Sequence, residues 1–110
     1  MARVSYVGPD GVPEHLRDIY EQMASYGPFA SLVGAMAHRP PILEHTFELL
    51  LKLREEGVLG RRYLELALVT VSKLNACDYC LAHHSPFLEV EGVSAEGVER
   101  LPDYEDHPEL

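Results

Sequence analysis

Apolar residues recur at three- and four-residue spacing along most of the chain, which is the spacing of one face of an α-helix. The first such segment extends from Pro13 to the Gly27-Pro28 turn. Its apolar positions share one face: Leu16, Ile19, Tyr20 and Met23. The turn-rich residues 1–12 precede this helix, and we interpret them as an N-terminal arm.

Helical patterns continue over five further segments, each bounded by proline, glycine or a capping residue. They cover Phe29 to about His38, Pro40 to about Glu56, Arg61 to about Asn75, Cys77 to about Phe87, and Ser94 to about Leu101. We expect Pro86 to stop the helix that begins at Cys77, because proline lacks the backbone donor. With no internal repeat and no persuasive hairpin, residues 1–110 are predicted to form one all-α domain, a compact bundle of about six helices.

The segment from Arg61 to Asn75 is apolar on nearly all sides, and such a helix is usually the buried centre of its domain. Glu65 lies inside it, where a carboxylate is costly unless it is paired. In one straight helix Glu65 would lie about 18 Å from Cys77. A turn at Asn75-Ala76 would let the next helix pack alongside, and a partner such as His84 is then expected. Taken alone, a glutamate such as Glu65 is more often a surface residue whose stem lies along apolar neighbours while its carboxylate reaches water.

The 110-residue chain is 46% hydrophobic and 25% charged, a composition typical of one globular domain. No apolar run approaches the roughly 18 residues of a membrane span, and the N-terminus lacks a signal-peptide pattern, so we expect a cytoplasmic protein. The net charge of −9 argues against general affinity for nucleic acid. Residues 89–110 hold eight acids and one base, which we interpret as a solvated face with an acidic tail over residues 102–110.

The two cysteines, Cys77 and Cys80, are three residues apart and form the main candidate for chemistry. On a helix, His84 lies one turn beyond Cys80, and the three residues share a stripe about 60° wide. That spacing lets His84 exchange a proton with a thiol on the same face. If Asn75-Ala76 interrupts the helix, Cys77 falls in a first turn, where backbone amides favour a thiolate. The motif therefore offers a nucleophile, a resolving thiol and a base.

Two other interpretations of the cysteine pair remain open. The pair could be half of a zinc site with His83 or His84, although structural zinc usually has four protein ligands and the chain has no other cysteine. Both cysteines could also serve only as core packing. A c-type haem motif is excluded, because Leu81 and not histidine follows Cys80.

Four residues combine the candidate chemistry: Glu65, Cys77, Cys80 and His84. Their spacing resembles the signature of the alkylhydroperoxidase D-like branch of the carboxymuconolactone decarboxylase superfamily. The flanking residues 61–66 and 72–80 are similar to that family's central helix and its junction. Residues 36–40 are similar to a break between its early helices. The resemblance covers roughly residues 13–100.

The resemblance implies an all-helical fold that assembles into trimers or hexamers and uses no metal or organic cofactor. In relatives with peroxidase activity, the position of Cys80 supplies the reactive thiol and that of Cys77 its disulfide partner. The positions of Glu65 and His84 form a proton relay. Electrons come from a dithiol donor such as dihydrolipoamide or a thioredoxin-like protein.

This chain departs from the family pattern at Tyr79, where some peroxidase members have a second histidine, and it ends at Leu110, where family domains often continue into further helices. Neighbouring copies are then expected to cover an apolar face. The leading hypothesis is a thiol-based oxidoreductase, a peroxidase or disulfide reductase, in which Cys80 attacks. The alternatives are a redox adaptor and a non-catalytic structural or zinc-binding domain. Lactone decarboxylation is disfavoured, because the decarboxylases of the superfamily generally lack the CxxC pair.

Overall fold

The computed structural model describes residues 3–27, 29–108 and 110, and it is all-helical, with no strand among those residues. Six α-helices follow in chain order: α1 Arg17–Ala24, α2 Ala30–Met36, α3 Pro40–Glu56, α4 Arg61–Leu74, α5 Asp78–Val90 and α6 Ala95–Arg100. Short 3-10 helices at Pro9–Gly11 and Glu14–Leu16 precede α1. The predicted all-α class is therefore confirmed. Within the described residues, no helix has the length and apolar character needed to cross a membrane.

The first helix is shorter than the apolar pattern indicated. The predicted start at Pro13 leads into the 3-10 helix Glu14–Leu16, and regular α-helix begins only at Arg17. At the other end, Gly27 has a φ of 58°, a left-handed conformation that glycine adopts without a Cβ clash. Gly27 therefore ends this segment as predicted, whereas Pro28, the other half of the predicted stop, lies outside the described residues.

The prediction that Pro86 stops its helix is wrong, because α5 continues past it. A proline inside a helix removes the hydrogen bond to the carbonyl four residues earlier, here that of Ala82, but its fixed φ suits a helix. The end of α5 instead lies where Gly92 takes a φ of 91° and where the Arg62 guanidinium donates to the Glu91 carbonyl at 2.7 Å.

The chain divides into two compact units, residues 1–57 and residues 58–110, each with its own apolar core. The first core is built on α1, α2 and α3: Val12, Leu16, Tyr20, Met23, Val33, Ala37, Leu43 and Phe47. The second is built on α4, α5 and α6 with the segments that follow α5 and α6: Val69, Leu88, Val93, Val98 and Leu101. All the residues that carry the candidate chemistry belong to the second unit. The single domain over residues 1–110 stays a prediction.

The N-terminal arm is tied to the first unit by backbone contacts. The Tyr20 hydroxyl donates to the Val7 carbonyl at 2.8 Å, and the Val7 amide donates to the Gly34 carbonyl at 3.0 Å. A Cβ on Gly34 would lie 2.9 Å from the Cβ of Tyr6, closer than side-chain carbons approach one another. Gly34 therefore allows the arm to lie directly on α2.

Helix α4 is buried on one side only, and the expectation of a helix buried on nearly all sides is wrong for the chain by itself. Its inward side carries the buried residues: Glu65, Val69 and Ser72. Its other side carries exposed apolar side chains: Tyr63 (67%), Val71 (54%) and Leu74 (69%). Apolar composition does not reveal how many neighbours a helix has, and here α5 packs against the inward side.

The corner between α4 and α5 is a Schellman motif followed at once by a new helix. The Cys77 amide donates to the Ser72 carbonyl at 2.9 Å, and the Ala76 amide donates to the Lys73 carbonyl at 3.0 Å. Ala76 has a φ of 50°, in the left-handed region that glycine usually occupies. Cys77 is already the N-cap of α5. The predicted break at Asn75-Ala76 is thus confirmed, and it lets α5 return along α4.

Replacing Ala76 by glycine is expected to raise the free energy of unfolding by about 0.5–1 kcal/mol, because the left-handed conformation strains an alanine Cβ more than the added chain entropy of glycine costs. Urea unfolding of the oxidised protein measures this change. Ala82→Gly, at an exposed position inside α5, is the matched control and should lower the free energy of unfolding by about 1 kcal/mol. Equal destabilisation by both substitutions would contradict the strain assigned to Ala76.

Candidate active site

Glu65 and His84 form a hydrogen-bonded pair between α4 and α5. The Oε2 atom of Glu65 lies 2.9 Å from Nδ1 of His84. The side chains are 3% and 13% exposed, respectively. An ionised carboxylate can only accept, so the hydrogen bond is donated by Nδ1 of His84. The expected partner of Glu65 is therefore confirmed, and the surface alternative for Glu65 is wrong.

The antiparallel register of α4 and α5 is what places the two side chains opposite each other. At one end of the helix pair, Arg62 near the start of α4 donates to Glu91 beyond the end of α5. At the other end, the backbone bond between Cys77 and Ser72 closes the corner. A buried carboxylate without a hydrogen bond is strongly unfavourable. This register gives Glu65 its hydrogen-bond partner, and the hydrogen bond in turn stabilises the register.

Cys77 and Cys80 are joined by a disulfide at the start of α5, with an S–S distance of 2.07 Å. Cys77 is the N-cap residue, and its Sγ accepts a hydrogen bond from the backbone amide of Cys80 at 3.2 Å. The side chain of Cys77 thus caps the start of α5, as the side chain of Ser, Thr, Asp or Asn usually does at a helix N-terminus. Both cysteines are half-buried, so the pair is a bonded unit near the surface and not a core filling of free thiols.

The disulfide of Cys77 and Cys80 and the imidazole of His84 are both carried by α5. Cys80 and His84 are four residues apart, so their side chains project from one helix face at neighbouring turns. Glu65 reaches the same region from α4 through its hydrogen bond to His84. The structure therefore places the four residues predicted from the sequence on two packed helices, with the imidazole one turn from Cys80.

Tyr79 and His83 form a separate contact on α5. Their ring centroids lie 4.1 Å apart with the planes at 89°, an edge-to-face arrangement. Tyr79, which lies between the cysteines, is 46% exposed. In the described part of the chain, no group of three or more histidine, cysteine or acidic side chains is placed to hold a metal ion.

Two arginines outside the four predicted site residues lie at the far end of the helix pair. Besides the bond from Arg62 to Glu91, the Arg61 guanidinium lies over the Phe87 ring, 4.9 Å from its centroid. The Phe87 ring centroid lies 6.5 Å from that of His84. The sequence feature that could have indicated these contacts is the pair of adjacent arginines at the start of α4. Because α5 runs antiparallel to α4, these arginines lie beside the C-terminal end of α5, where positive charge is favourable.

The fold and the site define an all-helical protein with a CxxC redox motif. The family model of the carboxymuconolactone decarboxylase family matches residues 40–103, more than half of the chain. The chain therefore belongs to this family, and the matched range covers α3 to α6 with the four site residues. No curated protein and no solved structure matches the chain significantly.

Glu65→Ala is expected to lower the free energy of unfolding by about 2–4 kcal/mol, because it removes buried volume and leaves an imidazole N–H without its acceptor. Glu65→Gln keeps the shape and an acceptor oxygen, so its cost should be smaller. Urea unfolding under oxidising conditions measures both changes. The matched control is Glu89→Ala, at an exposed position on α5, with an expected change within about 0.5 kcal/mol. A loss in Glu65→Ala no larger than in this control would contradict the structural role of the pair.

Proposed function

We propose that the protein is a thiol-based oxidoreductase of the alkylhydroperoxidase D-like type, which reduces a hydroperoxide or a disulfide. The observation that supports this most strongly is the Cys77–Cys80 disulfide on the helix that also carries His84, whose imidazole is bonded to buried Glu65. Both reactions need a dithiol that can close into a disulfide and a group that moves a proton to or from it.

In the oxidative half-reaction, the Cys80 thiolate attacks one oxygen of the hydroperoxide. The S–O bond forms as the O–O bond breaks, and the departing alkoxide receives the proton that His84 took from the thiol. Cys77 then attacks the sulfur of the Cys80 sulfenic acid, the disulfide forms and water leaves. Glu65 orients the imidazole and stabilises its protonated form during these transfers.

In the reductive half-reaction, a dithiol donor returns the pair to the reduced state. Two exchange steps through a mixed disulfide transfer two electrons and two protons, and the donor leaves as a disulfide. By family resemblance, dihydrolipoamide or a thioredoxin-like protein supplies these electrons. Neither half-reaction, as proposed, uses a metal or an organic cofactor.

A disulfide in a partner protein is the second candidate substrate, and in that case the protein acts as a redox adaptor. The observation that favours it is Tyr79, an aromatic side chain 46% exposed and placed between the two cysteines. Tyrosine is enriched in protein interfaces, where its ring gives contact area and its hydroxyl stays hydrated. Such a side chain beside the disulfide suits a protein surface better than a small peroxide.

Cys80→Ser is expected to abolish hydroperoxide consumption supported by dihydrolipoamide. His84→Asn should lower kcat/KM roughly 100-fold or more, because an amide can still donate to Glu65 but cannot carry the proton. Steady-state peroxide consumption by the purified protein measures both effects. His45→Asn, at an exposed position on α3, is the matched control and should keep the full rate.

Unchanged consumption in Cys80→Ser would contradict the peroxidase proposal. If the wild-type protein consumes no peroxide but Cys77→Ser retains a partner protein as a mixed disulfide, the adaptor proposal is favoured. If neither activity nor capture is found, both proposals are wrong.

We also propose that copies of the chain associate through the exposed side of α4. Tyr63, Val71 and Leu74 project within about 80° of one another, which makes a continuous apolar strip of a kind that interfaces usually cover. Light scattering is expected to give the mass of a trimer or hexamer, and Leu74→Glu should lower it. A wild-type mass equal to one chain would contradict the association.

A further inference from the structure

We propose that Phe87 is a positioning residue for His84, and that Arg61 keeps Phe87 in place. The inference rests on the proposed proton transfer by His84 and adds the groups that hold its imidazole in one orientation. The observation behind it is a continuous series of side-chain contacts between α4 and α5: Glu65 with His84, His84 with Phe87, and Phe87 with Arg61.

Phe87 packs against the imidazole of His84. The hydrogen bond to Glu65 fixes the position of Nδ1, whereas the plane of the imidazole depends on what packs against the ring. The ring centroids of His84 and Phe87 lie 6.5 Å apart with their planes at 61°, within the range of edge-to-face aromatic pairs. Phe87 lies three residues after His84 on α5, so it meets the imidazole from the turn opposite to that of Cys80.

Arg61 in turn occupies one face of the Phe87 ring. Its guanidinium carbon lies 4.9 Å from the ring centroid, which is a cation–π contact. The Nε atom of Arg61 also lies 3.8 Å from Oε1 of Glu91, just beyond the end of α5. Both contacts hold the guanidinium against α5, and Phe87 is therefore packed between Arg61 and His84.

The antiparallel register of the two helices closes this series of contacts. Arg61 and Glu65 are four residues apart on α4, and His84 and Phe87 are three apart on α5, so each pair lies on one helix face at neighbouring turns. The hydrogen bond and the cation–π contact then join the two helices one turn apart. Each of the four side chains therefore restricts the next one.

The ring of Phe87 also limits the access of water to the acid–imidazole pair. The side chain of Glu65 is 3% exposed and that of His84 is 13% exposed, and Phe87 is itself half-buried. A hydrogen bond is stronger where water does not compete for it. A proton transfer needs the imidazole in one orientation, and a displacement of about 1 Å can cost a large part of the rate. Phe87 thus acts on the reaction through His84.

The exchange of the His84 Nδ1 proton with water measures this positioning without any turnover. NMR of the oxidised, isotope-labelled protein follows the proton, and its resonance is assigned by its loss in His84→Asn. Phe87→Leu keeps an apolar side chain but lacks the ring, so the proton should exchange at least about tenfold faster than in the wild-type protein. Phe87→Tyr keeps the ring and should stay within about threefold of the wild-type rate.

Val98→Ala is the control for a general loosening of the second unit, because Val98 is buried on α6. It should change the exchange rate by less than about threefold, since it leaves the contact of Phe87 with His84 in place. Equal rates in the wild-type protein and Phe87→Leu would overturn the proposal. So would an increase in Val98→Ala as large as that in Phe87→Leu, or a wild-type proton without protection from exchange.

Arg61→Gln tests whether the arginine acts through the ring. By itself it should speed the exchange about threefold, and added to Phe87→Leu it should have no further effect, because its contact is already gone. Arg54→Gln is the matched control, since Arg54 lies over the Tyr26 ring at 5.5 Å in the first unit, and the rate should not change. The same increase from Arg61→Gln in both backgrounds would overturn the role assigned to Arg61.

Peroxide consumption separates this proposal from the proposed function. In an active protein, Phe87→Leu should lower kcat about tenfold with little change in KM, because the ring acts through the imidazole; an unchanged kcat would overturn the positioning role. If the protein consumes no peroxide but the exchange depends on Phe87, the positioning holds and the peroxidase proposal fails. If the protein is active but the exchange does not depend on Phe87, the positioning fails and the proposed function holds.

Discussion

The second unit depends on one buried interaction, the hydrogen bond between Glu65 and His84. A carboxylate with almost no exposure in an otherwise apolar helix is tolerated only with a partner. That partner lies 19 residues later in the chain, so α5 must return along α4 in one register. The same register sets Arg62 against the end of α5 and Cys77 at its start. The buried acid and its partner therefore fix the register that places the sulfur pair at the start of α5.

The corner between α4 and α5 makes Cys77 serve both helices. Its amide donates to Ser72 and completes the last turn of α4, while its Sγ accepts from the Cys80 amide and caps the first turn of α5. The left-handed conformation of Ala76 is the local cost of so short a connection. Helix termination, helix initiation and the cysteine pair are thus combined within a few residues, which explains how a small helical unit can hold a disulfide beside an acid–imidazole pair.

The sequence predicted the helices from their apolar periodicity, and the cost of a buried charge predicted that Glu65 needs a partner on a neighbouring helix. It did not predict that α5 continues past Pro86, since a proline removes one hydrogen bond and the rest of a packed helix can remain. The exposure of apolar side chains on one side of α4 was not predicted, because the composition of a helix does not show how many other helices pack against it. The contact of Arg61 with Phe87 could not be foreseen, because it depends on the register of two helices.

We propose that the folded site activates the dithiol through Glu65 and His84. Single-turnover oxidation tests it most directly: reduced protein is mixed with one equivalent of cumene hydroperoxide, and mass spectrometry follows closure of the Cys77–Cys80 disulfide. We expect closure at least about 100-fold faster in the wild-type protein than in Glu65→Gln. Equal rates in the two proteins would contradict it, since the relay would then contribute nothing to the chemistry of the sulfur pair.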